Sequence, residues 1–97
     1  MKPSEALRKN RNAIRHIVDV NDACNPRVFG PVLDGTDEDG SDLDLLIDPI
    51  DGKTSLVSLV RIKRELEQIL GVKTDILTPM SLHEKYRERV VAEAMPV

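Results

Sequence analysis

The chain has few rings: no tryptophan, one phenylalanine (Phe29) and one tyrosine (Tyr86). Its core must therefore be built from Leu, Ile and Val, and it has no array of aromatic platforms on which single-stranded nucleic acid could stack. One cysteine, Cys24, excludes an intramolecular disulfide and fits a reducing compartment, read here as the cytoplasm. No run approaches the ~18 apolar residues of a membrane span. Met1-Lys2-Pro3-Ser4 leads into a charged amphipathic segment, unlike a signal peptide. Positive charge is not in excess either. Fourteen Lys and Arg against 17 Asp and Glu leave a net charge of −3, so nucleic acid is not an expected partner. Repeats and low-complexity tracts are missing, and 97 residues predict one domain over 1–97. Such a chain is too small to fold a second substrate domain around a site, which leaves that task to a partner.

What the sequence does have is concentrated between Arg27 and Asp48. Arg27-Val28-Phe29 is short and β-prone, Gly30 lets the backbone turn sharply and approach a ligand closely, and Pro31 suits the first position of a helix. After ten further residues, Val32 to Ser41, comes Asp42-Leu43-Asp44-Leu45-Leu46-Ile47-Asp48. A period of two sends Asp42, Asp44, Leu46 and Asp48 to one face and Leu43, Leu45 and Ile47 to the other. Two like charges ~7 Å apart do not stabilise a strand unless a cation sits near them. Magnesium, which prefers carboxylate oxygens and keeps positions open for phosphates, is the natural candidate. A calcium-binding EF-hand loop is excluded, because setting Gly40 in its glycine position puts Gly35 and Leu46 where ligands are required.

The rest of the chain predicts covering elements. Ser4 can cap a helix from about Glu5 to Ala23, with Leu7, Ile14, Ile17 and Val18 as its apolar stripe, and Asn25-Pro26 ends it. Thr54 or Ser55 can cap a second helix carrying Leu56, Leu59, Val60, Leu66, Ile69 and Leu70, stopped by Gly71. A third strand, Val72 to Leu77, has the phase to aim Asp75 at the same site as Asp42 and Asp44. Ser81-Leu82-His83-Glu84 reads as a capping box opening a last helix in which Tyr86, Val90 and Val91 pack, followed by an apolar tail at Met95-Pro96-Val97 that frays or docks on a partner. Lys53 reads as a solvated turn residue.

Gly30-Pro31, ten residues, then Asp42-Leu43-Asp44 resembles the Gly-Ser-x10-Asp-x-Asp signature of the DNA polymerase β-like nucleotidyltransferases. Over its whole length the chain is similar to the minimal nucleotidyltransferases that serve as antitoxins. The resemblance implies an α/β (α+β) fold with a short mixed three-stranded sheet flanked by helices. It implies that Asp42, Asp44 and Asp75 are the catalytic carboxylates and metal ligands for magnesium, and that Gly30, Pro31 and Ser41 contact the nucleotide. ATP would be the substrate. AMP would pass to a tyrosine of a HEPN-type toxin encoded nearby, with which the chain would assemble. Two positions depart from the family. Pro31 stands where a serine is expected and offers neither hydroxyl nor N–H, and Asp34 places an anion where an arginine is usual. These departures predict slow transfer or an antitoxin that neutralises by contact alone. Arg11-Asn12-Ala13-Ile14-Arg15-His16 in turn resembles the Arg-polar-x3-His motif of HEPN ribonucleases. That fold is all-helical, and three strand patterns place Arg11 and His16 on the solvent face of the first helix instead.

Overall fold

Leu43, Leu45 and Ile47 are all fully buried, and the strand that carries them is an inner member of the sheet. In this computed structural model, which describes residues 1–97, the chain runs α1 (Pro3–Lys9), α2 (Arg11–Val20), β1 (Ala23–Phe29), α3 (Pro31–Asp34), β2 (Leu43–Pro49), α4 (Leu56–Leu70), β3 (Thr74–Leu77), a 3-10 turn (Pro79–Ser81), α5 (Glu84–Glu93) and β4 (Met95–Pro96). The sheet order is β3-β2-β1-β4, with β2 parallel to β3 and antiparallel to β1, and β4 antiparallel to β1. A mixed sheet flanked by helices was expected; a fourth strand was not. No helix is long and apolar enough to cross a membrane.

One face of the sheet carries the core. Val28, Leu43, Leu45 and Ile47 meet Ala6 and Leu7 of α1, Ile14, Ile17 and Val18 of α2, and Ile62, Leu66 and Leu70 of α4. Each fully buried Leu or Ile contributes roughly 1.5–3 kcal/mol. Slipping β2 by one residue would turn Asp44 and Asp48 into this core, so burial fixes the register. Helix α4 follows its expected punctuation, with Ser55 capping its start and Gly71 ending it in the left-handed region. Its inward face is Ser58, Ile62, Leu66 and Leu70, which leaves Leu56, Val60 and Ile69 exposed. On its flank the Glu67 carboxylate accepts the Thr74 N–H at 3.0 Å and Lys63 donates to the Thr74 carbonyl at 2.7 Å. That clamp fixes the head of β3.

Several expectations need correction. The first helix is two helices that break at Asn10 and end at Val20, because the Asn10 side chain turns back to bond the Ala6 carbonyl at 2.9 Å. Ser4 lies inside α1, and its N–H donates to Asp37 at 2.9 Å, so a loop residue distant in sequence does the capping. Asn25-Pro26 does not end a helix: it sits within β1 at a shift in register between Cys24 and Arg27, with Asn25 at φ 53°. A bulge there accommodates a proline that cannot donate to the ladder. Asp48 holds the bulge, accepting from Asn25 at 2.9 Å and from Arg27 at 2.5 Å. The third strand begins at Thr74, two residues later than expected, although Lys73 still accepts the Leu43 N–H at 2.8 Å.

The carboxyl-terminal segment departs furthest. Met95–Pro96 extends the sheet on the free edge of β1 and Val97 is buried, so this apolar tail docks on its own chain. Arg15 secures it by donating to the Val97 backbone oxygen at 2.6 Å. Ser81 serves the 3-10 turn, bonding Thr78, and α5 is capped by His83, whose Nδ1 accepts the Lys85 N–H at 3.0 Å. Helix α5 buries no residue, and Tyr86 is 45% exposed rather than packed inside. Arg11, His16 and Lys53 are exposed, as expected.

The bulge leads to a prediction. A β-branched residue in the left-handed region costs about 1–2 kcal/mol, so Asn25→Val should lower unfolding stability by at least that much. Asn25→Gly, which keeps the backbone conformation and loses only an exposed hydrogen bond, should cost clearly less. Urea unfolding of the two variants checks the order.

Candidate active site

The register of β2 with its neighbours brings together residues that the sequence could only suggest. Asp44 pairs with Asp75 across the parallel ladder and with Phe29 across the antiparallel one. Residues directly opposite each other share a face, so Phe29, Asp44 and Asp75 form one row. Leu45 and Ile76 sit on the other side, toward the core. Asp44 and Asp75 therefore stand side by side on the face away from the core helices, and β3 at the sheet edge leaves Asp75 approachable.

Gly30 closes on this pair from the end of β1. It caps α3 with φ 75°, and a Cβ built on it would lie 2.5 Å from Asp44 Oδ2. Glycine alone adopts this conformation without strain, and a side chain here would also push the Asp44 carboxylate aside. The Asp44 carboxyl is thus covered by backbone on one side and faces another carboxyl on the next strand. Its pKa rises from 3.8 to about 6, first through desolvation, then through the charge of Asp75, a proton shared with Asp75 and the charge of Asp42.

The other expected site residues are placed less tightly. Asp42 lies just ahead of β2, where its charge reaches Asp44, but its Oδ2 is 3.8 Å from Lys73 Nζ. No three acidic, His or Cys side chains converge closely enough to enclose a metal ion. Pro31 is the first residue of α3. Ser41 is used within its own loop, its Oγ accepting the Glu38 N–H at 2.9 Å. That acidic loop is tied down locally, through Asp37 to Ser4 and through Asp39 to the amino terminus at 3.3 Å. Asp48, expected on the same face as Asp44, is engaged by Arg27.

The donor set fits a hard divalent cation: two adjacent carboxyl groups whose mutual repulsion raises the pKa of Asp44, under a glycine that leaves the site open. A cation there would relieve the repulsion that raises Asp44. Lys73, opposite Asp42, was not singled out from the sequence, because a lysine before a short strand gives no signal until the register is known. The contact of Gly30 with Asp44 was equally hidden.

The raised carboxyl fixes a sign. Asp44 keeps its proton up to about pH 6 in the folded protein and releases it near 3.8 when unfolded. Between those values the native state binds more protons, so the contribution is complete below the lower value and is lost as pH rises through the upper one. Asp37 and Glu67, both lowered, act oppositely at more acid pH. Compared with Asp44→Asn, which cancels their effect, metal-free wild type should lose on the order of 1–3 kcal/mol, screened by solvent on its open side, between about pH 4 and pH 7. Thermal unfolding at stepped pH measures the difference; a flat difference would contradict the repulsive pair.

Comparison with known proteins bears on this arrangement. A family model described as nucleotidyltransferase domain matches residues 25–97. The proposed protein adenylyltransferase MJ0435 of Methanocaldococcus jannaschii is 40% identical over 70 residues, 72% of this chain and 74% of that protein. A second from that organism, MJ1217, is 29% identical over 89 residues, 92% of this chain and 87% of that protein. The solved structure of a proposed minimal nucleotidyltransferase has a TM-score of 0.85 and 38% identity, covering 97% of this chain and 95% of that one. A crystal structure described as a toxin-antitoxin with AMP-PNP shares the fold at a TM-score of 0.69 and 21% identity, covering 90% of this chain and 71% of that one. A family match from the bulge of β1 to Val97, and a relative this similar over most of both chains, place the protein in the nucleotidyltransferase domain family.

Proposed function

We propose that residues 1–97 form one minimal domain that acts as an antitoxin. It takes AMP from magnesium-ATP and attaches it to a tyrosine of a partner HEPN-type toxin. The observation that carries this reading is the Asp44–Asp75 pair against Gly30, an arrangement at the sheet edge that becomes repulsive once both carboxyl groups ionise. It is supported by similarity to a relative named as a protein adenylyltransferase and by a fold shared with a toxin-antitoxin crystallised with AMP-PNP.

Asp44 and Asp75 would supply the oxygens that hold magnesium, and Asp42, at the head of β2, would have to leave Lys73 to add a third. When bound, magnesium neutralises the triphosphate and makes the attacking hydroxyl more acidic. Gly30 lets the phosphates approach the backbone where any side chain would collide with Asp44. The acceptor tyrosine enters over the edge strand β3, and its phenol oxygen attacks the α-phosphorus in line. The bond from that phosphorus to the bridging oxygen breaks and pyrophosphate leaves. Asp75, next to the entry path, takes the phenol proton.

A second reading has its own observation. Asp34 lines the cavity beside Gly30, so an anion stands near where phosphates would lie, and Pro31 offers no N–H. On that reading the fold neutralises its toxin by contact alone. Coexpression with a HEPN-type toxin, followed by mass spectrometry of the toxin, separates the two. Transfer predicts one AMP on a tyrosine with wild type and a loss of at least about 100-fold in labelling with Asp44→Asn. Contact alone predicts no label with either, and equal protection from the toxin.

A further inference from the structure

One cavity, of about 430 Å³, adjoins the Gly30 turn. Phe29, Gly30 and Asp34 line it from the turn side, and Arg89, Val90 and Glu93 from α5. Phe29 is the cross-strand partner of Asp44 and Gly30 abuts its carboxyl, so two residues of the cavity wall adjoin Asp44, although neither Asp44 nor Asp75 lines the cavity itself.

The turn itself, Gly30 to Asp34, brings no cation to an anion. Helix α3 is only four residues long, Pro31 has no N–H, and the Asp34 N–H is already bonded to the Gly30 carbonyl at 3.1 Å. Two of the lining residues, Asp34 and Glu93, are acids. Arg89 is the one cation among the lining residues. It takes part in none of the four ion pairs of the molecule. Its guanidinium carbon lies 5.5 Å from the centroid of the Tyr86 ring, a contact that steadies the group without consuming its N–H donors. The neighbouring Arg87 is spent on structure, donating to the carbonyls of Pro79 at 2.8 Å and Leu82 at 3.0 Å, and so ties α5 to the 3-10 turn before it.

We propose that Arg89 is the phosphate-binding cation of this site, receiving the β- and γ-phosphates of the nucleotide from α5. A planar fork of N–H donors suits phosphate oxygens, and an arginine left unpaired beside two acids has its donors free for such a ligand. The assignment rests on the nucleotide reading proposed above and adds that the polyphosphate is gripped from the carboxyl-terminal helix, not from the turn. Glu93, one turn beyond on the same cavity wall, opposes the anion.

The test is calorimetric titration of the full chain in magnesium with AMP-PNP and, separately, with AMP. Arg89→Ala should weaken AMP-PNP by about 10- to 100-fold and leave AMP nearly unchanged. Arg89→Lys should recover part of the loss, and Glu93→Gln should tighten AMP-PNP. Circular dichroism checks that α5 persists; if Arg89→Ala unfolds it, the lysine and glutamine variants decide. Equal AMP-PNP affinity in wild type and Arg89→Ala would overturn the assignment of Arg89 alone, as would an equal loss for both ligands. If wild type binds neither ligand, the nucleotide reading itself falls, and Arg89 with it.

Discussion

Two carboxyl groups that repel each other are held level by strand register, and much of this small molecule can be understood as what keeps them there. Asp44 and Asp75 are opposite in a parallel ladder, and Asp44 is further confined by the Gly30 backbone. Left to themselves, such groups would part by slipping one residue along the strands. The slip is prevented because it would expose Leu43, Leu45 and Ile47 and bury Asp44 and Asp48, a change worth several kcal/mol. The same register is enforced from outside by Glu67 and Lys63, which grip the Thr74 backbone immediately before Asp75. At the other end, Arg27 and Asn25 bind Asp48 across the bulge of β1 and so set the strand that delivers Gly30.

This explains how so much structure serves a site made of so few residues. The core helices lie on one side of the sheet and the acidic row on the other. The acidic loop between α3 and β2 looks like a ligand site by composition, yet Asp37 caps α1 and Asp39 meets the amino terminus. Its charge is largely committed to holding the loop. Helix α5 is the reverse case, poorly buried and held mainly through Arg87, yet it forms one wall of the cavity at the Gly30 turn. An element fixed so lightly is free to present a side chain to a ligand.

The alternation of Asp42 to Asp48 and the glycine after Phe29 made β2 and the turn legible, because a period of two and a positive-φ position leave marks that need no tertiary context. The phase of Val72 to Leu77 suggested Asp75 for the same reason. Registers leave no such marks. That Asp44 would meet Asp75 while Asp42 leaned to Lys73 depends on a one-residue choice made by the core. Asn10 and Asn25 misled in opposite ways: one broke a helix whose apolar stripe ran on, and the other sat inside a strand where Asn-Pro reads as a stop. The terminal Met95–Pro96 looked like loose tail because two residues carry no periodicity. Only the free edge of β1 makes them a strand.

The proposal that Asp44 and Asp75 form the cation site of the domain can be tested without nucleotide or partner. Manganese, a paramagnetic stand-in for magnesium, broadens amide signals near where it binds. If the pair holds the cation, a trace of manganese first broadens Gly30, Asp44 and Asp75, and Asp44→Asn with Asp75→Asn abolishes this pattern. Broadening that begins instead at the acidic loop around Glu38 and Asp39, unchanged in the double variant, would contradict it.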